Sequence, residues 1–236
     1  MVFNKRHRPT ALLYTDSRGI NIPNKFFYPY YSDKLSKYIN VKKFICPHKW
    51  TTTLDFLYMY KKIFSKQKYN FILLHTGIVD YSPRSQQSLI NEIYPLKHIA
   101  FESVFPKKEI ISHIHSDFRV EYEGDKTSNM YSLKMAKKYL TPQLKKIKNL
   151  LWISSNKIIS SWKGNYWRDR PLNMKITEDY ANLFLSELPN SLNLMNWTEN
   201  EVKRYTYDNI HPNREGSNYI FEKIMSYIDN YNTQTT

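Results

Sequence analysis

The sequence predicts an α/β fold: a parallel sheet with helices on both faces. Four short apolar runs, 11–15, 43–46, 69–76 and 150–154, are each followed by turn or polar residues, as buried parallel strands are. Stretches with a helical apolar period lie between these runs, and alternation of this kind indicates a sheet whose ligands bind at the strands' carboxyl ends. A chain of 236 residues can bury one full core, which fits a single domain over 1–236 better than two small ones.

Taken in order, Ala11 to Thr15 gives the first strand and Ser32 to Tyr38 opens the first helix. Lys43 to Cys46 is the second strand, followed by a helix over Thr53 to Phe64 with Leu54, Leu57, Tyr58 and Ile63 on one side. Tyr69 to Thr76 is the third strand. The stretch from Ser85 to Lys126 has no clean period beyond a candidate strand at Glu109 to His113. It reads as an irregular insertion around 85–127, over the sheet edge or the site. Leu133, Ala136, Leu140, Leu144 and Ile147 mark a longer helix, which divides in two if Thr141 is an N-cap and Pro142 stands in a first turn. Leu150 to Ser154 is the fourth strand. The last helix is the clearest, with Pro212 suited to its first turn and Ile220, Ile224 and Ile228 recurring every four residues. Thr233 to Thr236 reads as a loose tail.

Composition narrows the function classes. A hydrophobic content of 41% excludes disorder, and apolar runs such as Phe71 to Leu74 are far too short to cross a bilayer. The start carries Lys5, Arg6, His7 and Arg8 but only four apolar residues, Ala11 to Tyr14, short of a secretory signal; the expectation is a soluble, cytoplasmic protein. The one cysteine, Cys46, excludes an internal disulfide and reads as a buried packing residue. The net charge of +14 invites a nucleic-acid reading. The lysines are spread rather than blocked, however, and the wealth of Asn, Ile, Tyr and Phe has the look of an AT-rich genome. An anionic substrate uses the same charge equally well. His113 and His115 form a His-x-His pair near Asp117, and His75 lies elsewhere, but no third ligand can be named, so no metal is assigned.

Reactive residues collect at three strand or turn ends. The first run stops at Thr15-Asp16-Ser17-Arg18-Gly19, which puts a serine at the strand tip with a glycine behind it for a tight turn. The third stops at His75-Thr76-Gly77-Ile78-Val79-Asp80. Near the C-terminus, Asp208-Asn209-Ile210-His211-Pro212 leads into the last helix, and an Asp three residues before a His can orient the ring to take a serine proton. Asp16 reads as a brace for its turn, and Asp80 as structural.

These three segments, in this order, resemble blocks I, III and V of the SGNH (GDSL-like) hydrolases over nearly the whole chain, from Ala11 to about Ile228. The resemblance implies a flavodoxin-like three-layer α/β/α sandwich, no metal or organic cofactor, and a triad of Ser17, His211 and Asp208. The sequence departs from the family at three places. Thr15 stands where block I has glycine. Val79 stands where block III has an asparagine that donates to the oxyanion. No glycine occupies block II, where this chain has His48-Lys49-Trp50-Thr51-Thr52-Thr53. The replacement donors expected are the amides of Ser17 and Gly77 and, from the block II loop, Thr51 or Thr52. Arg18 and Arg84 flank the site and suit a negative charge on the oxyanion or the substrate. The segment 160–171, with Trp167 and Arg168, alternates aromatics and arginines as a wall for sugar rings would, or as a loop plugging the core edge.

The expected activity is that of a serine esterase or deacylase on an acylated, carbohydrate-type and anionic substrate. O-acyl transfer to a polysaccharide or its precursor uses the same triad. From other classes, a non-catalytic SGNH-like protein that binds a glycan or partner accounts for Val79 and the missing block II glycine, and a nucleic-acid binder accounts for the charge alone.

Overall fold

The computed structural model describes residues 8–21 and 28–235; the basic start at Lys5, Arg6 and His7 lies outside them. Five parallel strands form a central sheet: β1 (Thr10–Thr15), β2 (Asn40–Ile45), β3 (Phe71–His75), β7 (Leu150–Ile153) and β8 (Ser191–Leu192). Their spatial order, β2-β1-β3-β7-β8, is the flavodoxin-like 2-1-3-4-5 arrangement once these five are counted in sequence.

Side chains of the inner strands alternate between two cores. Leu12 and Tyr14, Ile72 and Leu74, and Leu150 and Trp152 point to one face, where they meet α2 (Thr53–Lys62) and residues of the later helices. Ala11 and Leu13, Phe71 and Leu73, and Leu151 and Ile153 point to the other face, against α1 (Tyr31–Tyr38) and the last helix. Burial on both faces explains why these strands read as unbroken apolar runs. β2, at the sheet edge, has no fully buried residue, and Cys46 just beyond it is half-buried at φ 48° rather than a packed core residue.

The region after β3 is largely helical. α3 (Ile78–Tyr81) and β4 (Arg84–Ser85) lead into α4 (Gln86–Ser88), a π-turn over Leu89–Ile93 and α5 (Tyr94–Glu102). α6 (Lys107–Ile114) replaces the strand expected at Glu109 to His113. Its Ile110 and Ile114, four apart, are buried while Ile111 is exposed, so the helical period outweighs the β-branched composition. β5 (Glu121–Tyr122) and β6 (Asp125–Ser128) complete a small antiparallel sheet with β4.

The next helical stretch is continuous through Pro142: α7 (Leu133–Met135), a π-turn over Ala136–Leu140 and α8 (Thr141–Lys145). Thr141 is therefore inside the helix and not an N-cap. Each π-turn comes just before a Tyr-Pro or Thr-Pro pair, and the amides of Tyr94 and Thr141 reach back five residues, to Leu89 and Ala136. The wider turn accommodates a proline that lacks an N–H and crowds the preceding turn.

α9 (Ile176–Glu187) and α10 (Glu199–Tyr205) precede the final helix, α11 (Arg214–Thr235). α11 starts two residues later than Pro212 suggests: Asn213 caps it, its side-chain oxygen accepting from the amides of Glu215 (2.9 Å) and Gly216 (3.1 Å), while Pro212 pairs with Thr206. Ile220, Ile224 and Ile228 are fully buried as the period predicts, and the helix continues through Thr235 where a loose tail is expected. Thr236 lies outside the described residues. Among the described residues no helix is long and apolar enough to cross a membrane.

Candidate active site

Ser17 opens a single 3-10 turn, Ser17–Gly19, where β1 ends and the strand order changes direction. Asp16 caps this turn, accepting from the Arg18 amide at 3.0 Å. Gly19 is required by close approach: a Cβ there would stand 2.0 Å from Thr15 Oγ1 and 2.7 Å from Thr15 Cβ.

The loop before α11 delivers the other two groups. Asp208 Oδ1 accepts from the amides of Ile210 (3.2 Å) and His211 (2.8 Å), so the carboxylate closes the turn that carries the histidine. Its second oxygen lies 2.8 Å from His211 Nδ1, and His211 Nε2 lies 2.9 Å from Ser17 Oγ. Burial by itself would raise the Asp208 carboxyl, but hydrogen bonding and charge from His211, with the Arg170 guanidinium, hold it below the ordinary value. A carboxylate can only accept, so Nδ1 carries hydrogen, and in the neutral ring Nε2 offers a lone pair to the serine hydroxyl.

Two residues outside the sequence prediction hold this loop. Asn209, buried at φ 71°, donates to the carbonyls of Ile159 (2.9 Å) and Trp162 (2.7 Å) and accepts from the Ile159 amide (3.1 Å). Arg170 donates to the Asp208 carbonyl at 2.7 Å, stands 3.7 Å from its carboxylate and stacks 3.9 Å from the Tyr166 ring centre. Arg170 lies in the aromatic and arginine segment already singled out; Asn209 carries no local signal beyond tolerance of positive φ.

A cavity of about 450 Å³ opens over Ser17 and His211. Ile78, Val79, Met174 and Ile210 make it apolar on one side, and Tyr122, Glu123 and Asp125 bring the small sheet to its rim. Arg84 and Arg168 line it, the latter 3.6 Å from Glu123 and 4.9 Å from the Trp167 ring centre. Trp167 itself is 80% exposed.

Arg18 does not face the cavity. Its side chain is buried, forked onto Asp16 (Nε to Oδ1 2.9 Å, Nη2 to Oδ2 2.8 Å) and donating to the Ser154 carbonyl at 3.2 Å. Adjacent residues in a tight turn point apart, so next to Ser17 in sequence is not next to it in space. The Thr51 hydroxyl is likewise engaged, accepting from the His48 amide (3.1 Å) and donating to its carbonyl (2.8 Å). Thr52 caps α2 in a reciprocal pair with Asp55, which also holds the buried Lys97 at 2.6 Å. Gly77 caps α3 at φ 127°, where a Cβ would meet the Tyr81 hydroxyl at 1.9 Å. His113 sits on α6, its Nε2 2.8 Å from the Asn129 carbonyl, and not on a strand.

No protein-family model matches the sequence, and no curated protein matches it. Among solved structures, a lipase/acylhydrolase from Enterococcus faecalis matches with a TM-score of 0.57 at 12% identity, over 95% of this chain and 97% of that one. A Lactobacillus plantarum protein matches with a TM-score of 0.51 at 16% identity, over 94% and 97%. The chain shares the fold of these two structures, one of them a lipase/acylhydrolase.

Within this fold the departures from the SGNH blocks take physical form. Trp50, in the loop where block II should bring a glycine, lies in the left-handed region at φ 51° and lines the cavity beside Ser17. A bulky residue there is strained, so the loop holds a glycine-like path without the glycine. Thr15 fills the space beneath Gly19, so the small residue of block I stands at 19 instead of 15. Val79 presents an apolar surface to the cavity, and its carbonyl accepts from Arg84 Nε and Nη2, both at 3.2 Å. Asp80 is fully buried, accepting from the Thr53 amide (3.0 Å) and Tyr131 hydroxyl (3.0 Å), and so joins block III to the start of α2. Burial raises its carboxyl to about 7, against the lowering effect of those two donors.

Proposed function

We propose that the protein is a serine esterase that removes acyl groups from a carbohydrate-type alcohol. The observation that carries this reading is the hydrogen-bonded line from Ser17 through His211 to Asp208 at the floor of an open cavity. In the proposed reaction Ser17 Oγ attacks the ester carbonyl as its proton passes to His211 Nε2. The imidazolium is stabilised by Asp208 and returns the proton to the departing alcohol, leaving an acyl-serine. Water, deprotonated by the same nitrogen, releases the acid and restores the serine. No cofactor is needed at any step.

The developing oxyanion needs donors, and losing one typically costs about 100- to 1000-fold in rate. With Val79 lacking a side-chain donor, the amides of Ser17 and Trp50 are the assigned pair; the left-handed path at Trp50 supports the second. The apolar side formed by Ile78, Val79, Met174 and Ile210 suits a short acyl group, while Trp50 and Tyr166 offer faces for a sugar ring.

Labelling with a serine-directed fluorophosphonate tests the reading without knowledge of the substrate. Stoichiometric modification at Ser17, absent in Ser17→Ala and His211→Ala, is expected. Folded protein that stays unlabelled from neutral to alkaline pH would leave a binding protein on a hydrolase fold.

A further inference from the structure

Among the described residues three arginines and three acidic residues line the cavity, and Arg84 is the one arginine of the three with no carboxylate partner. Arg168 faces Glu123 at 3.6 Å, and Arg170 stands 3.7 Å from Asp208. Asp125 accepts from the Ser85 hydroxyl and from the Gln87 amide at 3.0 Å, and Asp169 pairs with Lys163 at 3.1 Å. Arg84 differs from the other two arginines. Its Nε and Nη2 go to a neutral acceptor, the Val79 carbonyl, and no carboxylate pairs with it. The buried carboxylate acting on it from a distance, Asp80, is committed to the Thr53 amide and the Tyr131 hydroxyl. Burial lowers the Arg84 guanidinium to about 10, in keeping with a cation short of counter-charge.

We infer that Arg84 is a specificity-determining residue that binds one carboxylate on the alcohol part of the ester, so that the substrate is an acylated uronic acid or similarly carboxylated alcohol. The inference rests on the esterase reading. Anchored on the Val79 carbonyl, the guanidinium is held in place and keeps Nη1 for a ligand, a geometry suited to carboxylate. Glu123, Asp125 and Asp169 in the same lining would repel a multiply charged ligand, which limits the match to a single negative charge. An acyl group seated on Ile78, Met174 and Ile210 leaves the alcohol part to extend past Val79 to Arg84.

The test compares acetate release from an O-acetylated methyl glucuronoside and from its neutral carboxamide, in the wild type, Arg84→Met and Arg84→Lys. A charge-assisted hydrogen bond of ordinary strength predicts a wild-type preference for the carboxylate of about 10- to 100-fold in kcat/KM. Arg84→Met should bring that ratio close to one, and Arg84→Lys should keep part of it. The ratio is taken on one protein sample, so partial unfolding cancels. A wild-type ratio near one overturns the inference, as does an equal loss on both esters in Arg84→Met, which would move Arg84 to the oxyanion.

Titrating methyl glucuronoside into Ser17→Ala, with and without Arg84→Met, separates the two readings. Binding that needs Arg84, with no acetate released by the wild type, would sustain Arg84 as a carboxylate site and sink the esterase. Ser17-dependent release without charge preference would do the reverse.

Discussion

Replacing Asp208 by Asn isolates the orienting role of the carboxylate, because the two side chains have the same shape. Oδ1 serves the turn, accepting from the Ile210 and His211 amides, and Oδ2 serves the ring at 2.8 Å from Nδ1. The Asn oxygen can keep only one of these places. The two backbone amides demand it, so the NH2 group is turned toward Nδ1. That nitrogen must then accept, the ring hydrogen moves to Nε2, and Nε2 can no longer take the Ser17 proton 2.9 Å away. A wrong-tautomer base of this kind costs about 10,000-fold in kcat, or roughly 5.5 kcal/mol of transition-state stabilisation. Folding should suffer less, since the turn keeps its acceptor. The assay is hydrolysis of a small activated ester together with the rate of fluorophosphonate labelling, with near-UV circular dichroism to establish an intact fold. A loss below about tenfold in both would refute the reasoning, because proton transfer would then not depend on His211 being held in one tautomer.

Four further outcomes are expected. Trp50→Gly should retain Ser17 labelling, because glycine adopts the left-handed path without strain, whereas Trp50→Pro, with φ fixed near −65° and no N–H, should lose it in a protein that still folds by circular dichroism. Gly19→Ala should abolish labelling by driving the 3-10 turn into Thr15, and the added change Thr15→Gly should restore part of it. Asp80, raised to about 7 in the folded state and near 4 when unfolded, contributes stability that is complete below its unfolded value and lost as pH rises through about 7; Asp80→Asn should flatten that part of the thermal-unfolding profile. Ile224→Ala, in the core between α11 and the sheet, should cost about 2–5 kcal/mol in denaturant titration without changing the labelled residue.

The sheet was legible because β1, β3 and β7 are buried on both faces, so their apolar runs carry no competing pattern. The Asp208–His211 contact was legible because a carboxylate three residues ahead of a histidine closes a turn on itself, a relation that needs nothing from the rest of the chain, whereas the approach of Ser17 to His211 spans 194 positions. The rest depended on distant contacts. Trp50 shows its role through a backbone angle that its identity does not announce. Arg18 was set on the site by its neighbour in sequence, whereas the fork that claims it belongs to Asp16 and the loop after β7. α6 was mistaken for a strand because Ile110 and Ile111 are adjacent β-branched residues, and only the burial of Ile110 with Ile114 reveals the period.

The contacts of Asn209 restrict how this molecule can change its substrate. One side chain fastens the histidine turn to Ile159 and Trp162, at the root of the loop that carries Tyr166, Arg168 and Arg170 to the cavity. An alteration at that root would shift His211 along with the wall, so chemistry and selectivity would degrade together. Variation is free only beyond the anchor, at residues such as Tyr166, Trp167 and Arg168, because Gly164 packs on the backbone of 207–208 and Arg170 holds the Asp208 carbonyl. Directed evolution aimed at new esters should accumulate its useful changes there and leave 156–162 untouched.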